Sequence, residues 1–219
     1  MADVIRVLLV DDDPLVRAGL AMIIATAADM AVVGEAGDGE QAVAEVRAHR
    51  PDVVLMDIRM PNLDGIRATA LVRTLAQPPE VLVLTTIAAD AYVLDALRAG
   101  ASGFLLKDTP PAAIVNAIRQ VADGVPSLSP SVARTVIGHV ARDGGAERQA
   151  AARATLAELS DREREVAVQV GRGLSNAEIG TALYLSEATV KAHVSRLLTK
   201  LDLNNRVQIA MLVHDAGLR

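Results

Sequence analysis

The sequence predicts a doubly wound α/β domain on a five-stranded parallel sheet, followed by a small all-α, four-helix domain of helix-turn-helix type. Three observations predict it. Residues 1–124 repeat a β-rich run and a helix-like stretch five times. Three of those runs (7–10, 53–56 and 81–84) are apolar throughout, as strands covered on both faces are. Residues 156–219 carry no strand signal, yet Ser160 with Glu163 and Ser175 with Glu178 have capping-box spacing.

In chain order, strands are expected at 5–10, 31–35, 53–57, 81–85 and 103–106. Helices are expected at about 14–27, 38–48, 64–75, 90–99 and 110–122, and five βα repeats at this spacing imply the doubly wound arrangement. Asp13-Pro14 and Thr109-Pro110 each put a capping side chain before a proline at the first helical position. Asp38 with Gln41 can cap the second helix, Gly100 ends the fourth, and Gly124 with Pro126 ends the fifth. Residues 125–155 read as a linker, partly helical: Ser129-Pro130 can start a helix to about 142, and DGGAERQAAARA has no apolar periodicity. Beyond it, helices are expected from near 161, from near 176, at 187–201 after Ser186, and at 206–215 after Asn204-Asn205. The tight link between the second and third describes a helix-turn-helix over 156–219.

Composition excludes several functions. The 219 residues include two Tyr, one Phe and no Trp, which argues against a stacking platform for single-stranded nucleic acid and against a carbohydrate cleft. There is no Cys, so thiolate catalysis, disulfides and zinc–thiolate sites are excluded. The four His are scattered. No apolar run is long enough for a transmembrane helix, and an acidic residue stands where a signal peptide is basic, so a soluble cytoplasmic chain is expected. Residues 1–124 carry 10 Lys plus Arg against 17 Asp plus Glu, whereas residues 155–219 carry 8 of each. That asymmetry suggests two modules with different partners.

Chemistry is expected at the carboxyl ends of the strands, where open parallel sheets bind ligands. The first strand ends in Asp11-Asp12-Asp13, the third in Asp57, the fourth in Thr85-Thr86 and the fifth in Lys107. Converging carboxylates repel unless a cation sits among them, and an oxygen-only donor set suits Mg²⁺ or Mn²⁺. Asp57 is placed to attack phosphorus, with Lys107 and a threonine hydroxyl facing the same phosphate.

VLLVDDDPLVR, VVLMDIRMPNLDG, VLVLTT and GASGFLLKD resemble the successive signatures of a response-regulator receiver domain. The resemblance covers nearly all of 4–122 and implies a flavodoxin-like strand order of 2-1-3-4-5. It implies that Asp57 is the phospho-acceptor and that Asp11, Asp12, Asp57 and the Arg59 carbonyl are the metal ligands. Thr85 becomes the switch hydroxyl, Lys107 the phosphoryl partner and Phe104 an aromatic switch, although a lone Phe in an aliphatic core also reads as packing. Members of the NarL/FixJ type often carry His where this chain has Asp13; here Asp13 reads as the cap of the first helix. Pro61 and Gly65 read as loop geometry beside the site.

In EATVKAHVSRLLTKL, Val190, Val194, Leu197, Leu198 and Leu201 form one apolar stripe. The opposite face is small and hydrogen-bonding, which suits either a major groove or plain solvent. LSDREREVAVQVGRGLSNAEIGTALYLSEATVKAHVSRLLTKL is very similar to the LuxR-type helix-turn-helix. That resemblance makes 187–201 the recognition helix, with Thr189, Lys191, Ala192, Ser195 and Arg196 as DNA contacts. Some relatives have a second basic residue at Ser195, so base preference does not transfer. The last helix has two apolar faces, one of them a candidate dimer surface.

The expected function is that of a NarL/FixJ-type two-component response regulator, not an enzyme. A sensor histidine kinase phosphorylates Asp57 with Mg²⁺, which promotes homodimerisation and binding to double-stranded promoter DNA, with RNA polymerase as a possible partner and no membrane. Two alternatives compete. One is a phosphotransferase with an aspartyl-phosphate intermediate; Pro14 directly after the acidic run and the lack of a cap domain weigh against it. The other is a protein-interaction module whose terminal helices bind no DNA.

Overall fold

The computed structural model describes residues 4–86, 90–129, 132, 133, 136 and 146–218. Six parallel strands lie in the order β2-β1-β3-β4-β5-β6: β1 (Ile5–Val10), β2 (Met30–Ala36), β3 (Val53–Met56), β4 (Glu80–Thr85), β5 (Gly103–Leu106) and β6 (Ser127–Leu128). The helices between them are α1 (Pro14–Ala25), α2 (Gly39–His49), α3 (Gly65–Arg73), α4 (Asp90–Ala99) and α5 (Pro111–Ala122).

Alternate strand residues point to opposite faces, which explains the wholly apolar runs. Val7, Leu9, Val53, Leu55, Leu82 and Leu84 pack under Leu20 and Ile24 of α1 and Ile114 and Ile118 of α5. Leu8, Val10, Val54 and Met56 pack under Val46 of α2 and Ala68 and Val72 of α3. Asp13 and Asp38 cap α1 and α2 by accepting from the amides of Leu15 and Gln41, both at 2.8 Å.

The structure corrects the expected fold in three places. The sheet has a sixth strand, β6, where a linker was expected; its two residues are too few to show a periodicity. Helix α5 starts at Pro111, with Pro110 as a cap that has no side-chain bond, so Thr109 is not its cap. The linker, expected to be partly helical, ends in a helix that belongs to the second core, a fifth helix where four were expected. Of the helix expected at 129–142, only Val132, Ala133 and Val136 are described as helical; the rest lies outside the described residues.

The second unit comprises α6 (Ala146–Ala157), α7 (Asp161–Gly171), α8 (Asn176–Leu183), α9 (Glu187–Lys200) and α10 (Arg206–Asp215). Ala152 and Leu156 of α6 join Val166, Val170, Ile179, Val190, Leu197, Ile209 and Val213 in one core. Both expected capping boxes form, at Ser160 with Glu163 and Ser175 with Glu178. A further apolar cluster joins the two units: Val83, Val93, Leu97, Phe104, Val132 and Val136 pack with Val207 of α10.

Candidate functional site

The acidic pocket is built by the ends of adjacent strands. The Asp11 amide bonds to the Ala36 carbonyl at 3.1 Å, and the Asp57 amide to the Val10 carbonyl at 2.9 Å, so both aspartates leave the sheet side by side. Asp11 and Asp57 are buried, Asp12 is exposed, and one carboxylate oxygen of each lies within 4.8 Å of the others. Lys107 follows β5, its amide bonded to the Thr85 carbonyl at 2.9 Å. Its Nζ lies 2.6 Å from Asp11 Oδ2 and 3.3 Å from Asp57 Oδ2.

Burial pushes the Asp57 carboxyl above the usual range, and the Asp11 charge adds to this, while Lys107 pulls the other way. Burial alone would lower Lys107, but its hydrogen bond to Asp11 and the charges of Asp57 and Asp11 outweigh burial and hold it up. Two carboxylates therefore share one ammonium, and the third, Asp12, stands beside them. The set is short of positive charge and made of hard oxygens, which fits a divalent cation such as Mg²⁺.

Thr85 is buried at the end of β4 and Thr86 is exposed. Phe104 is fully buried in the cluster that reaches α10, on the strand next to that of Thr85. Asp13 lies outside the acidic group: its side chain caps α1 and its amide donates to Asp11 Oδ1 at 3.0 Å. Arg59 lies in the loop after Asp57, its guanidinium 5.9 Å from the centre of the Tyr92 ring. Gly65 sits where a Cβ would overlap the Asp57 carbonyl, so this loop closes on the end of β3 only with glycine. Sequence reasoning missed Arg17, whose guanidinium donates to the Asp11 carbonyl at 2.7 Å and pairs with Glu35 at 2.9 Å; nothing in its surroundings in the chain signals this.

The helix-turn-helix is α8 and α9. Val190 and Leu197 of the expected stripe are buried, and Val194, Leu198 and Leu201 pack against the same core. Glu187, Ala188, Lys191, Ala192, Ser195 and Arg196 are exposed and Thr189 is half-buried. The Thr189 hydroxyl lies 2.7 Å from that of Ser186, the N-cap of α9, and Lys191 pairs with Glu187 at 3.2 Å.

A cleft of about 230 Å³ separates α9 from the first unit. Lys191 and Ser195, two of the five expected DNA contacts, line it opposite Glu80, Ser102 and Pro126. Both side chains are exposed, yet they face the first unit across this cleft.

Hydrogen bonds hold the two units together. The Asn205 side-chain amide donates to the carbonyls of Leu97 at 2.7 Å and Ala101 at 2.9 Å, while its oxygen caps α10 through the Gln208 amide at 2.8 Å. Gln208 donates to Leu97 and Arg98 carbonyls at 3.1 and 3.2 Å. Arg73 donates to the Asn204 carbonyl at 2.9 Å. Arg206 is buried and donates to Gly124 and Asn176, and burial lowers it to about 10. These contacts were not foreseen, because nothing in Asn204-Asn205-Arg206 distinguishes a helix start from a domain contact. The candidate dimer face of α10 is covered: Val207 and Met211 pack on the first unit, and Ile209 and Val213 on their own core.

Comparison with known proteins agrees with this geometry. Residues 7–119 match the response regulator receiver domain, and residues 157–213 match the LuxR family of bacterial regulatory proteins. The chain belongs to the response regulators that join a receiver domain to a LuxR-type helix-turn-helix, and so to the transcriptional regulators rather than to the enzymes. Among similar proteins, the uncharacterized transcriptional regulatory protein YxjL of Bacillus subtilis is 39% identical, over 99% of this chain and 98% of that one. The probable transcriptional regulatory protein NarL of Mycobacterium tuberculosis is 40% identical over 92% and 90%. The crystal structure of the response regulator ChrA of a heme-sensing two-component system covers all of both chains at 37% identity, with a TM-score of 0.54.

Proposed function

We propose that this chain is a cytoplasmic, phosphorylation-switched transcription regulator whose receiver, residues 1–124, holds its DNA-binding domain, residues 156–219, closed until Asp57 is phosphorylated. Residues 125–155 connect them, with β6 added to the receiver sheet and α6 to the second core. The observation that carries the reading is that Phe104 and α4, beside the strand that ends in Thr85, pack on Val207 of α10 and that the carbonyls of Leu97 and Ala101 hold its cap Asn205.

Asp57 is the nucleophile. Its carboxylate oxygen bonds to the phosphorus of a phosphohistidine on a sensor kinase as the phosphorus–nitrogen bond breaks, and the imidazole leaves with the electron pair. Asp11, Asp12, Asp57 and the Arg59 carbonyl would hold Mg²⁺ or Mn²⁺, which neutralises charge on the transferring group. Lys107 exchanges its contact with Asp57 for the phosphoryl oxygens, and the Thr85 hydroxyl donates to them. Moving Thr85 disturbs the packing of Phe104 and α4, whose carbonyls anchor Asn205. Release frees Lys191 and Ser195 to join Thr189, Ala192 and Arg196 on double-stranded promoter DNA. It also uncovers Val207 and Met211 of α10 as a homodimer face. RNA polymerase is the partner expected at the bound promoter.

The test is intact mass after incubation with Mg²⁺ and acetyl phosphate, with light scattering on the same samples. The expected result is one phosphoryl adduct on the wild type and none on Asp57→Ala, with a shift to dimer. An adduct that persists in Asp57→Ala refutes the assignment.

A further inference from the structure

We propose that Tyr184 is a DNA-backbone contact, its phenol hydroxyl donating to a phosphate oxygen beside the groove that α9 enters. The inference rests on the DNA-binding reading and adds a residue that the recognition helix does not contain.

Tyr184 forms the turn between α8 and α9, with φ of 56°. That left-handed conformation suits glycine or asparagine and strains a tyrosine. The ring is 96% exposed, whereas Phe104 is fully buried and Tyr92 lies half-buried under Arg59. Packing therefore does not account for an aromatic residue here.

The turn leaves the ring no route inward. The amides of Tyr184 and Leu185 both bond to the Gly180 carbonyl, the latter at 2.8 Å. A Cβ on Gly180 would stand 2.7 Å from the Leu185 carbonyl, so only glycine permits so tight a turn. From the other side the Arg162 guanidinium donates to the Leu183 carbonyl at 2.6 Å. A rigid turn thus presents an amphipathic ring with a hydroxyl tip two residues before the exposed Ser186 that caps α9, while Arg162 is held beneath the turn by the Leu183 carbonyl and by Glu165 at 2.6 Å. A polyanion lying along α9 meets that hydroxyl at the start of the helix. Phosphate contacts of this kind fix register on the duplex and are independent of base sequence.

The experiment measures binding of the full chain, with Mg²⁺ and beryllofluoride, to two unrelated 30-base-pair duplexes by fluorescence anisotropy across a salt series. Tyr184→Phe removes only the hydroxyl, and Tyr184→Asn relieves the backbone strain. Loss of one hydrogen bond corresponds to about five-fold weaker binding on both duplexes. The salt slope stays the same, because a neutral donor displaces no counterion. Tyr184→Asn melting no lower than wild type while binding more weakly separates a lost contact from a damaged fold. Wild-type binding with both variants within two-fold of it overturns the role of Tyr184 and leaves the DNA-binding reading standing. No binding by any form, wild type included, overturns both.

Discussion

At the residue scale, the pocket depends on how closely its parts approach one another. Gly65 shows this most directly, since a methyl group there meets the Asp57 carbonyl. Gly65→Ala is expected to displace the loop after β3, lower the receiver melting temperature by roughly 5–10 °C, and slow phosphorylation by acetyl phosphate. A thermal melt with a phosphorylation time course checks it; an unchanged melt and rate contradict it. The residues of the pocket were legible because the sheet topology fixes where strand ends meet: Asp11, Asp12, Asp57 and Lys107 follow strands and Thr85 ends one. Arg17 was not legible, because its partner is a backbone carbonyl, which leaves no mark in a sequence.

At the element scale, helices with side-chain caps were readable to within a residue or two, and the elements between the domains were not. Asp13, Asp38, Ser160, Ser175 and Ser186 each cap the helix they were expected to start. The Ala content of α6 pointed to partial helicity, but with no apolar stripe its place in the second core, seated by Ala152 and Leu156, was not legible. β6 escaped because two residues show no alternation.

The bond between α7 and α9 gives an acid-sensitivity prediction. Lys200 donates to Glu163 at 2.8 Å and is the largest cause of holding that carboxyl at about 2; the Ser160 contacts assist. A carboxylate depressed in the folded state contributes its stability above the unfolded value of about 4.3, and loses it as pH falls towards 2. The DNA-binding domain is therefore expected to lose stability over that window, with Glu163→Gln flattening the dependence. Melting temperatures from pH 5 to pH 2.5 test this, and parallel curves for the two proteins contradict it.

At the scale of the whole molecule, Asn205 is the joint between the domains. Its oxygen caps α10 and its amide group ties α10 to the C-terminal end of α4. Asn205→Asp keeps the cap, because Asp caps as well as Asn, but sets a carboxylate against two carbonyls. The variant is expected to bind duplex DNA without phosphorylation about ten-fold more tightly than the unphosphorylated wild type. Equal affinity contradicts a closed resting state.

The central claim is that phosphorylation at Asp57 separates the domains, and the distance between them measures it most directly. The chain has no Cys, so cysteines introduced at Met22 of α1 and Thr181 of α8, both exposed, accept spin labels without a background. The measurement is the label–label distance distribution by pulsed dipolar spectroscopy, with and without beryllofluoride and Mg²⁺. The account predicts one narrow distance in the resting protein and a longer, broader distribution in the activated one, with Asp57→Ala unresponsive. An unchanged narrow distance in protein whose Asp57 carries the phosphoryl analogue would contradict it.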